Sequence, residues 1–176
     1  MSRNSNMLPP TVFMVDFQAF QHGSEDFTVK ELCVIDTSKP QRPMYAMYLP
    51  PCPYTELSRE QRRTYDYQAN RLHRLGWDEG YMHFCKECLK RAMERWLFTT
   101  NNRELSVFYA MGQQKVDFLQ RLLPDCKIMN YQDAFNVARS SDMPVVPPGV
   151  HCIHREHGDY CAVKRCYSMY LHFISL

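Results

Sequence analysis

Three apolar runs separated only by short turn-forming segments open the chain, and no other feature constrains its fold as strongly. Residues 11–20 are dense in valine, phenylalanine and methionine, which suits a largely buried strand. The turn Gln21-His22-Gly23-Ser24 follows, and strand character resumes over residues 27–36. A second turn over residues 37–43 carries Pro40 and Pro43, and residues 44–49 supply a third strand. Strands joined so closely read as a meander. This excludes the strand–helix alternation of a Rossmann domain.

Pro50–Pro53 then break the chain. Ser58-x-x-Gln61 is a capping-box pattern, in which serine and glutamine satisfy free amides at a helix start, so a helix is expected over residues 59–75, ending at Gly76. A second helix is expected over residues 81–97, a strand over 105–110, and a helix over 113–123 stopped by Pro124. A short strand over 126–130, helical turns over 131–138, a proline-rich loop over 140–149 and a last helix over 161–174 complete the chain. The expected architecture is α/β: a five-stranded mixed sheet, meander first and strand–helix units after, flanked by helices. That is the ribonuclease H-like succession. Residues 1–10, polar and ending in Pro9-Pro10, read as a disordered lead-in, and residues 11–176 as one domain of ordinary size with no Gly/Ser-rich linker.

A net charge of +2 neither demands nor forbids a polyanionic partner. No signal-like apolar run follows Met1, and no stretch approaches the roughly 20 apolar residues of a membrane span, so a cytoplasmic or nuclear location without membrane partners is expected. The eight cysteines then read as reduced core or metal-site thiols rather than a disulfide framework.

Val15-Asp16-Phe17-Gln18 resembles the first motif of the DEDD exonucleases, an Asp-x-Glu at the end of the first strand. In that family the motif's carboxylates bind two magnesium or manganese ions, hard cations that want oxygen ligands. Here Gln18 stands in the glutamate position. Residues 107–119 resemble the second motif, and alignment on Phe118-Leu119 puts Lys115 where the family has an aspartate, with its ammonium in the place of a metal ion. His154-Arg155-Glu156-His157-Gly158-Asp159 fits the His-x4-Asp of the DEDDh branch. There the histidine is the general base and the aspartate a metal ligand. The resemblance thus implies Asp16, His154 and Asp159 as catalytic positions, with Gln18 and Lys115 as vestigial ones. The chain also resembles a group of insect proteins with VDFQ-like and KELxVID-like strands and, more distantly, the Maelstrom domain. That domain is ribonuclease H-like and carries a Glu-His-Cys-Cys zinc site.

His151, Cys152, His154, His157 and Cys161 crowd into eleven residues, and zinc takes four nitrogen, sulfur or oxygen ligands. The Maelstrom resemblance implies Glu31, Cys152 and Cys161 as ligands, with His151 or His154 completing the set. Accidental clustering of core cysteines and surface histidines is the alternative. Cys85-x-x-Cys88 falls inside an expected helix and reads as two small packing residues. Arg59, Arg62, Arg63, Arg71 and Arg74 share a helix with Tyr65 and Tyr67. They suit phosphate pairing and base stacking on single-stranded RNA or DNA, or simply a solvated face. Trp77 reads as core.

Three functions remain open. The first is a nucleic-acid-binding, exonuclease-like domain with weak or absent cleavage. The second is a zinc-stapled protein-interaction module on the same fold. The third is an active 3′–5′ exonuclease, which the missing carboxylate and the lysine both disfavour.

Overall fold

A computed structural model describes residues 10–83, 85–98, 106–147 and 161–176. Val12–His22 (β1), Asp26–Asp36 (β2) and Met44–Leu49 (β3) form the expected antiparallel meander. Val107–Ala110 (β5) lies parallel to β1 on its other side, and Lys127–Asn130 (β6) lies parallel to β5. The two-residue strand Met82–His83 (β4) adds itself parallel to β3, giving the order β4-β3-β2-β1-β5-β6. The fold is α/β, a mixed sheet of six strands rather than the expected five, with the meander first and the strand–helix units after it.

Helices cover both faces, because both faces of the central strands are apolar. Phe13, Val15 and Phe17 point to one side, with Val29, Leu32 and Val34. Lys86–Phe98 (α2) covers them with Leu89 and Met93, and Gln113–Leu122 (α3) with Val116, Phe118 and Leu119. Met14, Cys33 and Ile35 point to the other side, beneath Ala162–Ile174 (α5), which contributes Val163, Cys166 and Met169. The short helix Tyr131–Phe135 (α4) adds Tyr131, whose hydroxyl donates to the Met169 carbonyl at 3.0 Å.

Several expected boundaries shift for local reasons. Arg59–Gln68 (α1) starts on the capping box, Gln61 N–H donating to Ser58 Oγ and Ser58 N–H to Gln61 Oε1. It then widens into a π turn over Ala69–His73. The left-handed residue that stops it is Arg74, with φ 59°, and not Gly76. The second helix begins at Lys86 rather than 81, because Tyr81–His83 is drawn alongside β3, with Tyr81 N–H donating to the Met47 carbonyl. The turns after β6 end at Phe135, where Asn136 adopts a left-handed conformation. No described helix is long and apolar enough to cross a membrane. Residues 1–9 of the expected lead-in lie outside the described residues.

Candidate functional site

One face of the sheet carries a band of buried polar side chains between two apolar clusters. Beneath α5 lies the cluster around Met14 and Cys33; at the other end Phe20, Leu57, Tyr65 and Trp77 form a small aromatic core. Between them sit Asp16 and Gln18 on β1, Lys30 and Glu31 on β2, and His73 at the end of the π turn, all buried. A β-bulge creates part of this band. Gln18 pairs with Glu31 and Ala19 with Val29, so Lys30 is an extra residue on β2. Bulges of this kind re-aim side chains and kink the strand.

Asp16 is fully buried, and both its oxygens are engaged. Lys115 Nζ donates to Asp16 Oδ1 at 2.5 Å and to the Phe17 carbonyl at 2.6 Å, and Gln18 Nε2 donates to Asp16 Oδ2 at 3.0 Å. Lys115 lies in the first turn of α3, a turn that holds no acidic residue. A cation there opposes the helix macrodipole, so its place is a tertiary matter: it answers the buried carboxylate. Its ammonium also lies 5.1 Å from the centre of the Phe17 ring.

This set does not fit a pair of divalent cations. Two-metal sites need several free carboxylate oxygens. Here Asp16 has an ammonium on one oxygen, and Gln18 turns a donor toward the other. His154 and Asp159, the remaining positions implied by the exonuclease resemblance, lie outside the described residues.

Glu31 faces the start of α5. The Ala162 N–H donates to Glu31 Oε2 at 3.1 Å, Tyr45 Oη donates to Oε1 at 3.1 Å, and Cys161 Sγ approaches Oε1 at 3.8 Å. Burial pushes this carboxyl up to about 7, against the downward pull of the Ala162 and Tyr45 hydrogen bonds. Glu31 and Cys161, distant in sequence, are thus brought together, and an oxygen and a sulfur donor of this kind suit zinc. Among the described residues no group of three such donors converges. His151, Cys152, His154 and His157 lie outside the described residues.

Two members of the band are not expected from sequence. Lys30 is fully buried and donates to the Trp77 carbonyl at 2.6 Å and to the Glu79 carbonyl, tying the segment after the π turn to the sheet. Burial pulls its ammonium down to about 8. His73 is 3% exposed and edge-on to the Phe20 ring. Its Nδ1 accepts from the Leu75 N–H at 3.1 Å, while Nε2 has no partner among the described residues. Burial pulls the imidazole down to about 4, helped by Lys30 and Lys115, so it is neutral near pH 7 and carries its proton on Nε2. A buried lysine inside an apolar strand run is a legible anomaly. A single histidine in an arginine-rich helix is not.

The arginines of α1 and the π turn divide. Arg59, Arg63, Arg71 and Arg74 are exposed, and so is Tyr67. Arg62 is exposed but tied down, donating to the Leu57 and Thr55 carbonyls and lying 5.7 Å from the Tyr54 ring centre. Tyr65 is buried and stacked on Trp77 at 4.7 Å, leaving Tyr67 as the accessible ring of the two tyrosines.

No protein-family model and no curated protein sequence matches this chain. Among solved structures it is similar to E. coli exonuclease I in complex with an oligonucleotide, with 10% identity and a TM-score of 0.49. That match covers 93% of this chain and 39% of the exonuclease. It is similar also to exonuclease I bound to an inhibitor, with 11% identity, a TM-score of 0.48, and 94% and 40% of the two chains covered. The chain therefore spans about 40% of the length of the exonucleases it matches.

Proposed function

We propose that this domain binds single-stranded RNA or DNA on an exonuclease-like scaffold and does not cleave it by a two-metal mechanism. The observation that carries the proposal is the Lys115 ammonium 2.5 Å from Asp16 Oδ1, with Gln18 on the other oxygen. Charge balance that the exonuclease resemblance would assign to metal ions is supplied here by a lysine. Nucleic-acid binding is supported by the exposed Arg59, Arg63 and Arg71 beside exposed Tyr67, a combination that can pair phosphates and stack a base. Arg62 contributes less freely, because backbone carbonyls already hold it. The test is fluorescence anisotropy of labelled single-stranded RNA and DNA across a salt series. Binding that weakens steeply with salt is expected, because phosphate pairing releases counterions. Binding indifferent to salt, or none, contradicts the proposal.

The approach of Glu31 to Cys161 favours a second reading, a zinc-stapled interaction module. Zinc there would be held by Glu31 and Cys161 with ligands from residues 151–154, fastening α5 to β2. It would be structural, and it is compatible with nucleic-acid binding. Metal analysis of the purified protein decides it: one zinc per chain, lost in Cys161→Ser, supports the staple.

A further inference from the structure

Cys85 and Cys88 take no part in the buried polar band, and their spacing in the sequence suggests packing residues inside a helix. The structure contradicts that expectation. Cys85 precedes α2 and caps it: its carbonyl accepts the first helical bond, from the Leu89 N–H at 2.9 Å. Cys88 lies in the first turn. Neither side chain is packed in the core, since Cys85 is half-buried and Cys88 exposed. The core face of α2 is carried by Leu89 and Met93 instead.

Cys85 Sγ lies against the backbone of Cys88, one helical turn on. The Cys88 backbone N–H donates to Cys85 Sγ at 3.3 Å. Negative charge on Cys85 is thus favoured by two features of the backbone together: the Cys88 amide and the positive end of a helix of 13 residues. The neighbouring Cys88 thiol, and then its amide, hold the Cys85 thiol below the ordinary cysteine range and the pairing moves Cys88 the other way, with the Glu87 carboxylate opposing the shift at Cys85 and Arg91 opposing it at Cys88. Such a division separates an attacking thiolate from a resolving thiol. Cys33 and Cys166 are buried in the core, and Cys161, which caps α5, is buried against the Glu31 carboxyl.

We propose that Cys85 and Cys88 form a thiol–disulfide couple that exchanges with small-molecule disulfides. The Cys85 thiolate bonds to one sulfur of the disulfide, whose S–S bond breaks, and the first leaving thiolate takes up the proton Cys85 has shed. Cys88 then loses its proton and attacks the Cys85 sulfur. The mixed disulfide breaks, and the second leaving thiolate takes up that proton. Two cysteine thiols are oxidised to one disulfide, and the substrate disulfide is reduced to two thiols.

The test equilibrates the full chain in mixtures of reduced and oxidised glutathione, quenches with acid, alkylates free thiols and maps peptides by mass spectrometry. Loss of two hydrogens confined to the peptide spanning Cys85 and Cys88 is expected, reversed by reduced glutathione. In Cys88→Ser the glutathione adduct should accumulate on Cys85. In Cys85→Ser the adduct on Cys88 should form about tenfold more slowly, because the remaining thiol lacks the activating neighbours. Both changes fall outside the core, and matching unfolding curves check that the variants fold. The proposal is overturned if both thiols stay alkylatable across the series, or if each is capped independently without an internal disulfide. It is overturned too if zinc added to the reduced protein protects both thiols with one ion per two chains, which would make the pair half of an intermolecular metal clip.

Discussion

A single side chain decides the character of the buried polar band. Asp16 is fully buried, and its ion pair with Lys115 is mostly shielded from water, since the Lys115 side chain is 19% exposed. Removing one member of such a pair leaves an uncompensated buried charge, so Lys115→Met should cost about 3 kcal/mol of stability by urea unfolding. The double variant Asp16→Asn with Lys115→Met should recover most of that loss, because a neutral pair avoids the desolvation cost. His73 gives a second test at this scale. Its imidazole is held down to about 4 from 6.5, so between those values the unfolded chain binds more protons there than the folded protein. Stability from this site is therefore full above that window and lost as the pH falls through it, by about 3 kcal/mol in total. His73→Asn keeps an acceptor for the Leu75 N–H and cannot titrate. The gap in unfolding free energy should widen in the variant's favour by that amount from about pH 7 to about pH 4.

Among the elements, closeness in sequence determines what is legible. The Ser58–Gln61 capping box involves neighbours and needs no tertiary context, so the start of α1 can be read directly. Its end cannot, because the π turn places Arg74 in the left-handed position ahead of the glycine that the local rule selects. β4 is two residues long and shows no periodicity. The bulge opposite Gln18 is hidden because an inserted residue leaves no local signal, although the Lys30-Glu31 pair interrupts an otherwise apolar run. Lys115 is legible only through alignment to a motif; its bond to Asp16 spans 99 residues. Gly80 shows how tightly β4 is seated. Its φ is +134°, and a Cβ there would lie 2.5 Å from the Tyr48 carbonyl carbon and oxygen. Gly80→Ala should therefore lower stability by about 3 kcal/mol in thermal or urea unfolding, since backbone must move on both strands.

At the scale of the whole molecule, helices on both faces bury the sheet and leave the arginine-bearing α1 on the outside. Exposed Arg59, Arg63 and Arg71 supply charge that can face a phosphate chain, although the net charge of the whole chain is only +2. The triple variant to glutamine should weaken binding for all sequences alike and reduce the slope of log affinity against log salt by about 0.7 for each phosphate left unneutralised. Unfolding curves of this variant should be nearly unchanged, because the three side chains are exposed. The most direct single measurement is a manganese-supplemented assay on an end-labelled single-stranded oligonucleotide, read for retention and length in the same samples. Retention of full-length oligonucleotide, identical in wild type and in the double variant Asp16→Asn with Lys115→Met, is expected if Lys115 has replaced the metals. Progressive shortening by the wild type that the double variant abolishes would contradict it and make this domain an active exonuclease.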